Sequence, residues 1–150
     1  MDKHIEWLAA YVEKCMRESW GDNADCLSWC GEGVVVFRAG TATCQVRVES
    51  DEPAMVRVMA MAVTGVNVSA KLLREVNEVN ARSRVASLWW ADGDVVVECS
   101  LFADSVDAET LGQACRHVAG VANDIGVGMA AMYDGSTPYP PFASDTEDAA

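Results

Sequence analysis

Residues 69–101 read SAKLLREVNEVNARSRVASLWWADGDVVVECSL, and this stretch decides the fold. Its first part places Leu72, Leu73, Val76 and Val79/Asn80 at helical spacing, with Asn67 or Ser69 available as the cap. Its second part is a hairpin. Asp92-Gly93 is a two-residue turn pair suited to a type I′ connection, which needs positive φ at both positions. That turn sets a register in which Ala91 faces Asp94. Trp90/Val95, Leu88/Val97 and Ala86/Cys99 then share one side, the core side. Trp89/Val96, Ser87/Glu98 and Val85/Ser100 share the other, which mixes apolar and polar groups.

A long helix follows, begun by Asp107 or Ser105. Leu111, Cys115, Val118, Ala122, Ile125 and Met129 give it a narrow apolar seam. Gly112, Gly120, Gly126 and Gly128 weaken it by up to about 1 kcal/mol each. They call for close packing, or for fraying near Gly126.

Upstream, Met55–Val63 is apolar at nearly every position. Val56, Val58, Ala60 and Ala62 point one way, and Met55, Arg57, Met59 and Met61 the other. Residues 44–49 alternate strictly, the mark of a strand with one wet face, and Val34–Arg38 is a short β-branched run. Residues 2–20 carry Ile5, Leu8, Val12 and Cys15/Met16 at helical spacing until Gly21-Asp22-Asn23 breaks the pattern. The element order is therefore α-β-β-β-α-β-β-α. It predicts an α+β fold, an antiparallel five-stranded sheet in meander order with helices, and excludes a βαβ nucleotide fold. Residues 1–135 form one domain. Residues 136–150, rich in proline and acid, are expected to be a disordered acidic tail.

The 150 residues carry 11 Lys+Arg against 23 Asp+Glu, a formal charge of −12. That balance argues against nucleic acid and against anionic membrane surfaces as partners. No run reaches the roughly 18 apolar residues of a membrane span, and the N-terminus lacks signal-peptide character, so the expected location is the cytoplasm. The six cysteines then read as reduced thiols. Cys15, Cys44, Cys99 and Cys115 fall on apolar faces. Cys26 and Cys30 make a lone C-x3-C with no second pair, short of the roughly four ligands of a zinc site.

No catalytic set emerges. His4 and His117 lie far apart in sequence, Gly31-Glu32-Gly33 lacks the lysine and helix of a phosphate loop, and Gly120–Gly126 follows no strand. Nothing points to a cofactor or a resident metal, and no enzyme is expected.

The chain resembles the type III secretion chaperone-like family that includes the YbjN-type proteins, in particular the actinobacterial branch of peptide-binding chaperones. The likeness is carried by Val46-Arg47-Val48 with the Val56–Val63 strand, and by Leu72-Leu73-Arg74-Glu75-Val76-Asn77-Glu78-Val79-Asn80. The hairpin Ser87–Leu101 and Ala119-Gly120-Val121-Ala122-Asn123-Asp124 complete it, over roughly residues 33–135. The sequence departs from the pattern at Val76 and Val79, where bulkier aliphatics are commoner, and at Asn123, where alanine is commoner. The resemblance implies a small acidic cytosolic protein, often a homodimer, that holds an unfolded or extended peptide of a client.

The candidate partner-binding residues are Met55, Met59 and Met61 on one strand face, Trp89 with Val96 on the hairpin, and the helical pair Asn77 and Asn80. Methionine adapts to varied partners but also fills cores. The asparagines could bond a ligand backbone or satisfy a neighbouring strand end. Trp29, expected in a loop, is either a further contact or a cap on the core edge. Two other readings stand beside a client-binding module. One is a homodimeric structural or regulatory protein without a client. The other is a metal- or small-molecule-binding enzyme using Cys26/Cys30.

Overall fold

One buried row along the strand Met55–Val63 organises the molecule. Val56, Val58, Ala60 and Ala62 are at most 1% exposed, while Met55, Arg57, Met59 and Met61 between them are half-buried. The computed structural model describes residues 3–31 and 33–141. Its elements are α1 (Lys3–Trp20), β1 (Ser28–Trp29), β2 (Val34–Ala39), β3 (Ala42–Glu49), β4 (Met55–Val63), α2 (Ala70–Arg82), β5 (Ser87–Ala91), β6 (Asp94–Phe102) and α3 (Ala108–Met132). The sheet is antiparallel throughout, in the order β1-β2-β3-β4-β6-β5. All three helices contribute to a single core on one side of it, through Leu8, Val12 and Met16, through Leu72 and Val76, and through Leu111, Val118 and Ala122.

The helix signals hold at the level of atoms. Ser69 Oγ accepts from the Leu72 N–H at 3.0 Å, and Asp107 Oδ1 accepts from the Thr110 N–H at 2.7 Å. The hydrogen bonds from Thr110 hold the Asp107 carboxyl below the usual carboxylate range. α3 runs on without fraying to Met132. Gly126 permits this path, since a Cβ there would sit 3.1 Å from the Ala62 carbonyl oxygen. The hairpin also forms in the expected register, with Asp92 and Gly93 at φ 52° and 91° and Trp89 paired with Val96.

Three expectations change. The sheet has six strands rather than five, because Ser28–Trp29 pairs with Val35 and Val36. A strand of two residues is too short to leave a period in sequence. Trp29 thus sits on a strand at the core edge, with the Arg17 guanidinium 5.3 Å from its ring centroid. The meander also breaks after β4. β6 returns beside β4, and β5 takes the edge. β6 is as long as β4, and its Val95 and Val97 are fully buried, whereas β5 is short and begins at exposed Ser87.

The third change concerns the tail. Residues 136–141 are held against the sheet: Thr64 and Ser136 exchange backbone hydrogen bonds at 2.7 and 2.9 Å, and the Tyr139 N–H donates to the Thr41 carbonyl at 3.0 Å. Proline and acid content hid these backbone partners. Residues 142–150, the rest of that expectation, lie outside the described residues.

The first part of the free edge of β5 is covered from within. Asn80 donates from Nδ2 to the Leu88 carbonyl at 2.8 Å and accepts the Leu88 N–H on Oδ1 at 2.7 Å. Ser83 Oγ donates to the Ala86 carbonyl at 2.6 Å. These side chains occupy backbone groups that would otherwise recruit another strand. Asn80→Ala should lower stability by about 1–3 kcal/mol, since it leaves a partly buried donor and acceptor unmet. Urea unfolding checks this, and a variant as stable as the parent would show the clamp to be idle.

Candidate functional site

The side of the sheet opposite the helices bears the candidate site. Cross-strand register places Val36, Gln45, Met59 and Glu98 in one row. The next row is Arg38, Thr43, Met61, Val96 and Trp89. Between them lies a shallow depression of about 190 Å³ lined by Val36, Thr43, Gln45, Met59, Met61 and Val96. Val96 is only 7% exposed although it points away from the helices, because Met61 and Trp89 flank it across the strands.

Farther along the strands the surface becomes charged. Arg57 donates to Glu98 at 2.5 Å and lies 3.9 Å from Glu49. The Glu98 carboxylate thereby holds Arg57 still further above the ordinary arginine range. Arg47 stands opposite Arg57 across β3 and β4. Beyond this band Met55 pairs with Phe102, which is 60% exposed. The face therefore consists of an apolar depression, a charged belt and a second, smaller apolar end.

Of the sequence candidates, the structure brings together Met59, Met61, Val96 and Trp89, and sets Met55 beyond the belt. It does not join Asn77 and Asn80 to them. Both belong to α2, on the other side of the sheet; Asn80 is engaged with Leu88, and Asn77 is exposed. The sequence reading missed Val36 and Phe102. Val34–Phe37 is apolar at every position and shows no face until register assigns one, whereas Phe102 could have been found by extending the alternation Val96, Glu98, Ser100.

The thiols show no reactive arrangement. Burial pushes Cys44 and Cys115 up to about 12, and raises Cys15 and Cys99 as well. The thiolate is the nucleophilic form, so these groups act as packing atoms. Cys26 and Cys30 are exposed on either side of β1, and among the described residues no group of three or more His, Cys, Asp or Glu is placed to hold a metal. No described helix is long and apolar enough to cross a membrane.

The chain matches, over residues 6–141, the family model described as T3SS (YopN, CesT) and YbjN peptide-binding chaperone 1. No curated protein sequence matches it. Among solved structures it is similar to a chain in the crystal structure of the ExsC–ExsE complex. The TM-score is 0.59 at 14% identity, over 80% of this chain and 94% of that one, a likeness of fold. The family match extends past the stretch recognised from sequence, to include α1 and the segment after α3.

Alkylation of the native protein with iodoacetamide near pH 8 should label Cys26 and Cys30 and spare the other four cysteines, as read by peptide mass spectrometry. Rapid labelling of Cys44 or Cys115 would contradict the burial described above.

Proposed function

The chain belongs to the T3SS (YopN, CesT) and YbjN peptide-binding chaperone 1 family, and from that premise we propose that it is a non-enzymatic chaperone whose helix-free sheet face holds an extended segment of a client protein. One observation carries this reading. Val36, Met59, Met61 and Val96, with Thr43 and Gln45, line a largely apolar depression that no helix covers, and Trp89 stands beside Val96 at its margin.

The chemistry suits a tolerant peptide site. Methionine side chains repack around varied partners, and a tryptophan beside them supplies a large, rigid contact. The charged belt of Arg57, Glu98 and Glu49 sits where it can fix the orientation of a bound chain. With the first part of the β5 edge already bonded to Asn80 and Ser83, recognition falls to side chains on the face instead of strand addition at that edge. The solved structure of similar fold is itself a complex, ExsC with ExsE, which supports a role in holding a partner.

Panning a random-peptide library on the protein should select extended apolar sequences. Met59→Ser combined with Trp89→Ser should weaken their binding at least tenfold, about 1.4 kcal/mol, without moving the thermal midpoint by more than about 4 °C. Selected peptides that bind the variant equally well would place the site elsewhere. A client-free homodimer makes a different prediction: no peptides are selected, and the same two substitutions convert a dimer to a monomer in light scattering.

A further inference from the structure

A second concavity lies on the helical side of the molecule, between α2 and α3. The Tyr133 hydroxyl, just past α3, bonds Glu75 near the middle of α2, so the two helices run in opposite directions and the end of α2 comes beside the middle of α3. The groove there holds about 330 Å³, near the lower end of the roughly 300–1,000 Å³ that ligand sites occupy. Val79 of α2 and Val121 and Ile125 of α3 form its apolar walls. Arg82, Ser83 and Arg84, where α2 passes into β5, join His117 and Asp124 of α3 to supply its polar groups.

Several of those polar groups have no partner in the protein. Among the described residues, neither the Arg82 nor the Arg84 guanidinium makes an ion pair or a hydrogen bond. Guanidinium donors, not net charge, are what the groove offers. Asp124 lines it too and Glu78 lies one turn before Arg82, yet neither carboxylate is bonded to them. His117 Nε2 is buried and likewise unpartnered, a rare condition for a buried polar atom. Ser83 Oγ gives its proton to the Ala86 carbonyl at 2.6 Å, so toward a ligand it can only accept. The segment bearing these groups is held in place, with the Ser83 N–H on the Val79 carbonyl at 2.9 Å and Asn80 on both backbone groups of Leu88. Groups fixed in advance lose less entropy when they bind.

We propose that this groove binds the carboxyl-terminal residue of a peptide chain, with the carboxylate on Arg82, Arg84 and His117 and an aliphatic side chain against Val79, Val121 and Ile125. Arginine matches a carboxylate with paired N–H donors, and an Nε2–H of His117 gains the acceptor it lacks. One helical turn, about 6 Å, separates His117 from Val121 along α3. A terminal residue carries its carboxylate and side chain on one carbon, which suits that short span. Two features favour a peptide over a free small acid. The groove is open at Arg82, Arg84 and Asp124, all exposed, whereas small ligands are mostly about 70–90% buried in their sites. Ser83 Oγ can also accept a peptide N–H, a group a simple acid lacks. The site lies across the sheet from the open face and does not rest on it.

The chain has two isoleucines, Ile125 in the groove and Ile5 on α1, so methyl-labelled isoleucine gives a reporter and an internal reference. Acetyl-Ala-Ala-Leu with a free carboxylate should shift the Ile125 methyl resonance and leave that of Ile5 in place. Its carboxamide should bind at least about tenfold more weakly, and so should the free acid on a chain carrying Arg82→Gln and Arg84→Gln. Both arginines are exposed, so that variant should keep the parent's thermal midpoint. Met59→Ser with Trp89→Ser should leave this binding unchanged, so the two sites stand or fall separately. An unmoved Ile125 resonance, equal binding of acid and carboxamide, or equal affinity for parent and arginine variant would overturn the proposal. Isocaproate binding as tightly as the peptide would give the groove to free acids and overturn it too. So would loss of binding in the open-face variant, which would move the peptide there, or an Ile125 resonance that follows protein concentration alone, the mark of a second copy.

Discussion

One-sided burial of the two central strands governs this structure. β4 and β6 are neighbours over most of their length, and the residues they turn toward the helices, from Val56 and Val58 to Val95 and Val97, are fully buried. Near its end β4 presents alanines rather than larger groups, and Ala62 with Gly126 lets α3 approach the sheet backbone. Burying these side chains supplies the main driving force, at about 25 cal/mol per Å² of apolar surface. Because the side-chain period of a strand is two, the residues between them must point away from the helices. The open face is thus a geometric consequence of how the core is built, and its methionines and Val96 follow from the same alternation.

Local chemistry was legible in the sequence where a few adjacent residues decide the outcome. Asp92-Gly93 set the hairpin register, Ser69 and Asp107 capped their helices, and the alternation in β4 assigned its two faces. What could not be read depends on partners distant in sequence. The placement of β6 beside β4 is a contest between two strands for one position, and it turns on length and on which strand can bury both its flanks. β1 has too few residues to carry a pattern. Ser136 and Tyr139 look like tail until their backbone partners, Thr64 and the Thr41 carbonyl, are known. At the candidate site, the methionine row and the Trp89/Val96 pair were visible as separate features. Only register showed that they are contiguous, and that Val36 joins them.

Two asparagines act as surrogates for backbone inside this fold. Asn80 covers the first part of the β5 edge. Asn123, on α3, accepts from the Thr41 N–H at 3.0 Å and hydroxyl at 3.2 Å, and donates to the carbonyls of Ala39 and Ala119 at 2.9 and 3.0 Å. A primary amide has both a donor and an acceptor, so it can satisfy a strand terminus as another strand would. Asn123 secures the β2–β3 turn to α3, and that turn in turn holds Tyr139 through Thr41. The path of the chain after α3 therefore depends on a polar contact made by α3 itself.

The charge distribution bears on which partners the open face favours. The whole chain is strongly acidic, whereas the open face is balanced, with Arg38, Arg47 and Arg57 beside Glu49, Asp94 and Glu98. At physiological ionic strength a charge is felt over about 8 Å, so a ligand already on the face senses these charges of both signs more than the acidic body behind it. A ligand approaching from solution meets the net negative field of the whole chain, which slows acidic peptides and speeds basic ones.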